Sequence, residues 1–105
     1  MIEVNDSNFN DTINVNSIVI VDFWAPWCGP CKSLAPIFEE VSNEYSDVVF
    51  AKCNIDDNDT APTSCGIRNI PTLLFYVNGQ LKDRLVGSVS KQGIKDMVEK
   101  YKKDS

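Results

Sequence analysis

Ile18-Val19-Ile20-Val21-Asp22-Phe23-Trp24 is a nearly unbroken apolar, β-branched run. Successive side chains of a strand point to opposite faces, so a run without polar alternation suits a central strand covered on both sides. Its carboxylate, Asp22, is the anomaly. Shortly after it come Cys28-Gly29-Pro30-Cys31, and then Leu34, Ile37, Phe38, Val41 and Tyr45 recur at helical spacing, with Glu39, Glu40 and Glu44 on the other side. Pro30 fits the first turn of that helix, where a missing N–H costs little, whereas Pro36 lies inside it and should bend it. Val48 to Cys53 reads as the next strand, which makes the unit a parallel strand–helix–strand crossover with the cysteine pair at a strand's carboxyl end. Chemistry in open α/β sheets concentrates at that edge, where strand ends and helix N-termini meet solvent.

Working outward, Asn58 to Cys65 reads as a short helix stopped by Gly66, and Thr72 to Val77 as a strand. Asn78-Gly79 supplies a hairpin turn into Leu81 to Val86. Ser90 is placed to cap a last helix with Ile94, Met97, Val98 and Tyr101 on one face. At the front, Ile2 and Val4 suggest an edge strand and Phe9 to Ile13 a first helix. The order βαβαβαββα predicts an α/β fold, a single mixed five-stranded sheet with helices on both faces. Without repeats, low-complexity tracts or a Pro/Gly/Ser linker, residues 1–105 are expected to form a single domain.

A chain of 105 residues buries roughly two-thirds of its unfolded surface on folding, enough for one hydrophobic core. Hydrophobic residues make up 43% and charged residues 24%, which excludes a disordered composition. The net charge of −5 offers no positive field for phosphate backbones or anionic lipid, so nucleic acid and membrane are not expected partners. The lysines crowding the end, Lys91, Lys95, Lys100, Lys102 and Lys103, read as the solvated face of the last helix. No Lys or Arg precedes Lys32 to form the charged start of a secretory signal, and no apolar stretch reaches membrane-spanning length. A cytoplasmic chain is therefore expected, whose four cysteines are reduced, catalytic or buried rather than a disulfide framework.

Cys28 and Cys31 can close a small disulfide ring, and both lie where a helix N-terminus favours negative charge, which stabilises a thiolate. Gly29 leaves room for an approaching backbone and Pro30 restricts the loop. The competing reading is half a zinc site. It fares poorly, because the chain has no His and Cys53 and Cys65 are too far apart in sequence to form the second close pair. Haem attachment needs His after the second cysteine, and position 32 is Lys.

The segment Val21-Asp22-Phe23-Trp24-Ala25-Pro26-Trp27-Cys28-Gly29-Pro30-Cys31-Lys32 closely resembles the active-site segment of the thioredoxin family. The likeness continues through Pro36, Lys52 within Ala51-Lys52-Cys53-Asn54-Ile55-Asp56, Gly66-Ile67-Arg68-Asn69-Ile70-Pro71-Thr72, Asn78-Gly79 and Val86-Gly87, and so covers essentially the whole chain. It implies the thioredoxin fold and a thiol–disulfide oxidoreductase: Cys28 attacks a substrate disulfide, Cys31 resolves the mixed disulfide, and Cys28–Cys31 is the redox-active disulfide. It also implies recharging by thioredoxin reductase with electrons from NADPH, a cofactor this chain does not itself bind, since no glycine-rich dinucleotide loop is present. Disulfide-containing proteins of the cytosol are the implied clients, and a monomer is expected.

A carboxylate inside a buried strand is costly unless its proton or partner has a purpose, and burial should raise the pKa of Asp22. Such a carboxyl suits the role the resemblance implies, taking a proton from Cys31 as Cys31 attacks; the alternative is an edge-facing Asp bonded to backbone or to Lys52. The family places Lys52 near that Asp. The resemblance further implies a cis Pro71 beside the cysteine pair, leaving the Ile70 backbone to pair with an extended substrate. Trp27, Gly29, Pro30, Gly66, Ile67, Ile70, Gly87 and Ser88 map to the surrounding docking surface, against core packing as the plainer reading of Ile67 and Ile70. Trp24 and Cys53 read as packing residues, and Cys65 as a thiol open to oxidation or intermolecular pairing.

Two rivals remain. A disulfide oxidase or isomerase on the same fold usually carries His between its cysteines, whereas Gly29-Pro30 is the dipeptide of the reducing branch. A redox-independent binding subunit would have no use for both cysteines, Asp22 and Pro71 together.

Overall fold

The computed structural model describes residues 1–104. In chain order its elements are β1 (Ile2–Glu3), α1 (Phe9–Val15), β2 (Ile18–Trp24), α2 (Gly29–Glu44), β3 (Val49–Asn54), α3 (Thr60–Ser64), β4 (Thr72–Val77), β5 (Gln80–Val86) and α4 (Lys91–Asp104). The sheet order is β1-β3-β2-β4-β5, with β1 and β2 parallel to β3 and β4 antiparallel to both β2 and β5. The apolar run from Ile18 is thus the middle strand, the only position in a five-stranded sheet with two strands on either side.

Alternation along β2 divides its side chains between two cores. Ile18 and Ile20 face Leu34, Phe38 and Val41 of α2 and Ile94 and Val98 of α4. Val19, Val21 and Phe23 face Phe9 and Ile13 of α1 and Ala61 of α3. The same alternation puts Asp22 and Trp24 on the α2/α4 side, at the end of β2 that leads to the cysteines. Helices of this length gain most of their stability from such packing rather than from propensity, and Phe38, fully buried and edge-on to Phe50 at 5.2 Å, anchors α2. That helix runs through Pro36 without interruption.

The hairpin forms as its sequence predicts: Asn78 (φ 51°) and Gly79 (φ 81°) both occupy the left-handed region that a two-residue turn with the sheet's own twist requires. Ser90 caps α4, its Oγ accepting the Gly93 N–H at 3.0 Å. Four expectations shift. α1 continues to Val15, and β3 runs Val49–Asn54. α3 is shorter than Asn58 to Cys65 because Asn58 is drawn back, its amide donating to the Asn54 carbonyl at 2.9 Å. The lysines of α4 are not simply solvated: Lys91 meets Glu40 and Glu44, Lys95 meets Glu44, and Lys102 meets Asp47, at 3.0–3.3 Å.

Candidate active site

Cys28 is the N-cap of α2, in an extended conformation (φ −89°, ψ 112°), and its Sγ accepts the Cys31 N–H at 3.2 Å. Gly29 and Pro30 are the first residues of the helix, so the cap sulfur receives one of the N–H groups that a helix start leaves without a partner. Together with the helix dipole this favours negative charge on the Cys28 sulfur. Cys28 and Cys31 are joined by a disulfide, their Cα atoms 5.2 Å apart. With Ala25 they form a small apolar cluster against which Trp24, Ile55 and Ile70 pack.

The Ile70 carbonyl lies 3.8 Å from Cys28 Sγ. In the disulfide the sulfur has no hydrogen to give, so this is a contact; in the dithiol it is a donor–acceptor pair. The Ile70–Pro71 bond is cis, and the Pro71 carbonyl accepts the Gly87 N–H at 2.9 Å, which brings the start of β4 and the end of β5 together beside the cysteines.

Asp22 is fully buried, and among the described residues neither carboxylate oxygen has a hydrogen-bond partner. Burial pushes its pKa up from 3.8 to about 7, against the opposing pull of the Lys52 ammonium. Lys52 is its register partner on β3, yet the Lys52 Nζ is directed over the Trp24 ring, 4.3 Å from its centroid. The pair therefore interacts through space, without a hydrogen bond. A polar cleft of about 230 Å³ opens beside Lys52 and Trp24, walled by Glu3, Asn54 and Asp57.

The remaining candidates differ in exposure. Trp27 is 66% exposed, and its indole N–H donates to Asp56 Oδ1 at 3.1 Å. Gly66 is exposed, with φ 67° ending α3, and Ile67 and Ile70 are half-buried, each packed at the edge of a core. Both isoleucines thus pack against a core while part of each side chain stays exposed. Ser88 and Pro30 are exposed and line a depression of about 370 Å³ with Ser33, Leu34, Ile37 and Val89; Gly87 is half-buried.

Cys53 is buried within β3, where burial pushes its thiol up to about 11, consistent with a packing residue. Cys65 is half-buried rather than openly exposed: its Sγ is 3.5 Å from the Tyr76 hydroxyl, and its carbonyl accepts from the Arg84 guanidinium at 3.0 Å. Sequence reasoning missed Asp56 as the partner of Trp27. The signal available was the density of Asn and Asp from Asn54 to Asp59, residues that bond their own backbone in turns.

The family model described as Thioredoxin matches residues 1–100. The chain is 46% identical over 100 residues to the chloroplastic M-type thioredoxin of Pisum sativum, covering 93% of this chain and 58% of that protein. It is 43% identical over 101 residues to the thioredoxin of Pyropia yezoensis, covering 94% of each. A solved structure of Plasmodium falciparum thioredoxin superposes with a TM-score of 0.89 at 38% identity, over 96% of this chain and 99% of that one.

Proposed function

Because this chain belongs to the thioredoxin family, we propose that it reduces protein disulfides by dithiol–disulfide exchange through Cys28 and Cys31. The observation that carries the proposal is the Cys28 sulfur at the N-cap of α2, disulfide-bonded to Cys31 and bordered by the exposed Trp27.

In the dithiol, the Cys28 thiolate attacks one sulfur of a client disulfide, forming a Cys28–client bond and releasing the other client sulfur as thiolate. Cys31 then loses its proton and attacks Cys28 Sγ. The Cys28–Cys31 bond forms, the Cys28–client bond breaks, and the client leaves as a dithiol with two electrons more. Asp22, whose pKa of about 7 lets it accept a proton near neutral pH, takes the Cys31 proton. Lys52 offsets the charge of the Asp22 carboxylate before that transfer. The Ile70 backbone and the rim of Trp27, Gly29, Pro30, Gly66, Ile67, Pro71, Gly87 and Ser88 hold an extended client segment against the pair.

Thioredoxin reductase returns the electrons from NADPH, which this chain does not bind. We place the protein in the cytosol, acting as a monomer on disulfide-containing proteins there. No described helix is long and apolar enough to cross a membrane. The test is reduction of insulin disulfides with reductase and NADPH. Cys28→Ser should abolish turnover, and Cys31→Ser should accumulate mixed disulfides through Cys28. A fully active Cys28→Ser variant, or trapping through Cys53 or Cys65, overturns the assignment.

A further inference from the structure

α3 has five residues, and its own N-cap, Asp59, makes no side-chain capping bond. A helix so short does not hold itself, because nucleation fixes several residues for very few hydrogen bonds. Its cap comes instead from the other end of the chain: Asp6 Oδ1 accepts the Ala61 N–H at 2.8 Å, and Asp6 Oδ2 accepts those of Asp59 and Thr60 at 3.0 and 3.2 Å. From the far end of α3 the chain passes into Gly66–Pro71, where the Ile67 N–H bonds the Pro62 carbonyl at 3.0 Å. Fixing the start of this helix therefore fixes the loop that leaves it.

A second arm starts from the same residue. The Asp6 N–H donates to Asn58 Oδ1 at 2.9 Å, and the Asn58 amide donates to the Asn54 carbonyl at 2.9 Å. Asn54 Oδ1 accepts the Asp56 N–H at 2.9 Å, and Asp56 Oδ1 accepts the Trp27 indole at 3.1 Å. An unbroken path of hydrogen bonds thus joins Asp6 to the residue before Cys28.

We propose that Asp6 is a positioning residue which, by holding the start of α3 and the 54–58 turn together, sets the separation between Trp27 and the Ile67–Ile70 loop, the two lips of the docking surface. This rests on the docking role given to those lips above. Asp6 touches no client; it acts through the two arms, so its loss weakens docking and leaves the cysteine chemistry in place.

The experiment compares wild type with Asp6→Ala, Asp6→Asn and Asn58→Ala in the full chain, each checked for folding by circular dichroism. In Asp6→Ala the Trp27 indole cross-peak in a ¹H–¹⁵N spectrum should shift, and KM for insulin should rise about fivefold while kcat stays within about twofold. Turnover of a small aromatic disulfide, which needs no lips, should be unchanged. Asp6→Asn keeps one acceptor oxygen and should give an intermediate KM. A folded Asp6→Ala variant with an unshifted Trp27 peak and unchanged KM overturns the proposal. Should Asp6→Ala not fold, Asn58→Ala decides it, since that change cuts the path to Trp27 and leaves the cap on α3; an unmoved Trp27 peak there overturns it equally. The spectrum needs no turnover, so failure of the insulin assay in wild type counts against disulfide reduction and not against Asp6.

Discussion

Burial without a hydrogen-bond partner moves the Asp22 carboxyl from 3.8 to about 7, and the sign of its effect on stability follows directly. The folded state keeps the proton that the unfolded chain gives up, so Asp22 costs nothing below about pH 4, costs progressively more up to about pH 7, and costs a constant amount, about 4 kcal/mol, above that. Asp22→Asn should therefore be more stable than wild type in urea at about pH 8, with the gain vanishing near pH 4; equal stability at the higher pH would refute the buried ionisation. The same variant should slow insulin reduction about tenfold to a hundredfold at neutral pH, by removing the proton acceptor for Cys31. A carboxylate inside Ile18 to Trp24 is visible in the sequence as a misfit. That Lys52 is its neighbour across the sheet yet turns to Trp24 is not, because strand register depends on pairing between distant segments.

Elements whose signal is local were the legible ones. β2, β4 and α4 follow from periodicity and a capping residue, and the β4–β5 turn from Asn78-Gly79. Gly79→Ala should destabilise the hairpin, since φ is +81° and the added Cβ would come within 2.5 Å of Asn14 Oδ1. The expected loss is about 1–2 kcal/mol in urea unfolding. Disulfide-reducing activity of the folded variant should be unchanged, because the turn lies at the opposite end of β4 from Pro71. A stability equal to wild type would mean that the turn relaxes to a different type. α3 was the poorly bounded element for a physical reason: its start is fixed by Asp6, more than fifty positions earlier, and no local pattern encodes that.

Over the whole molecule, opposing titrations shape the stability. Glu44 is held below the usual carboxylate range by Lys95 and Lys91, Asp47 by Lys102, and Asp6 by the Ala61 and Asp59 N–H groups. These groups stabilise the fold above their unfolded pKa values and lose that contribution as pH falls, whereas Asp22 destabilises it as pH rises. Thermal unfolding should therefore show a maximum near about pH 5, and Asp22→Asn should flatten its neutral side; a wild-type maximum above about pH 7 would contradict this balance. The sequence by itself determined the order of elements, the central strand, the helix that starts at the cysteines and the identity of the redox pair, because periodicity, capping and motif spacing act over a few residues. Only the tertiary structure decided which groups meet: Asp22 without a hydrogen-bond partner among the described residues, Trp27 on Asp56, Asp6 on α3, and Lys91 and Lys95 on the carboxylates of α2. Those contacts join segments far apart in the chain, and they exist only once both cores have closed around β2.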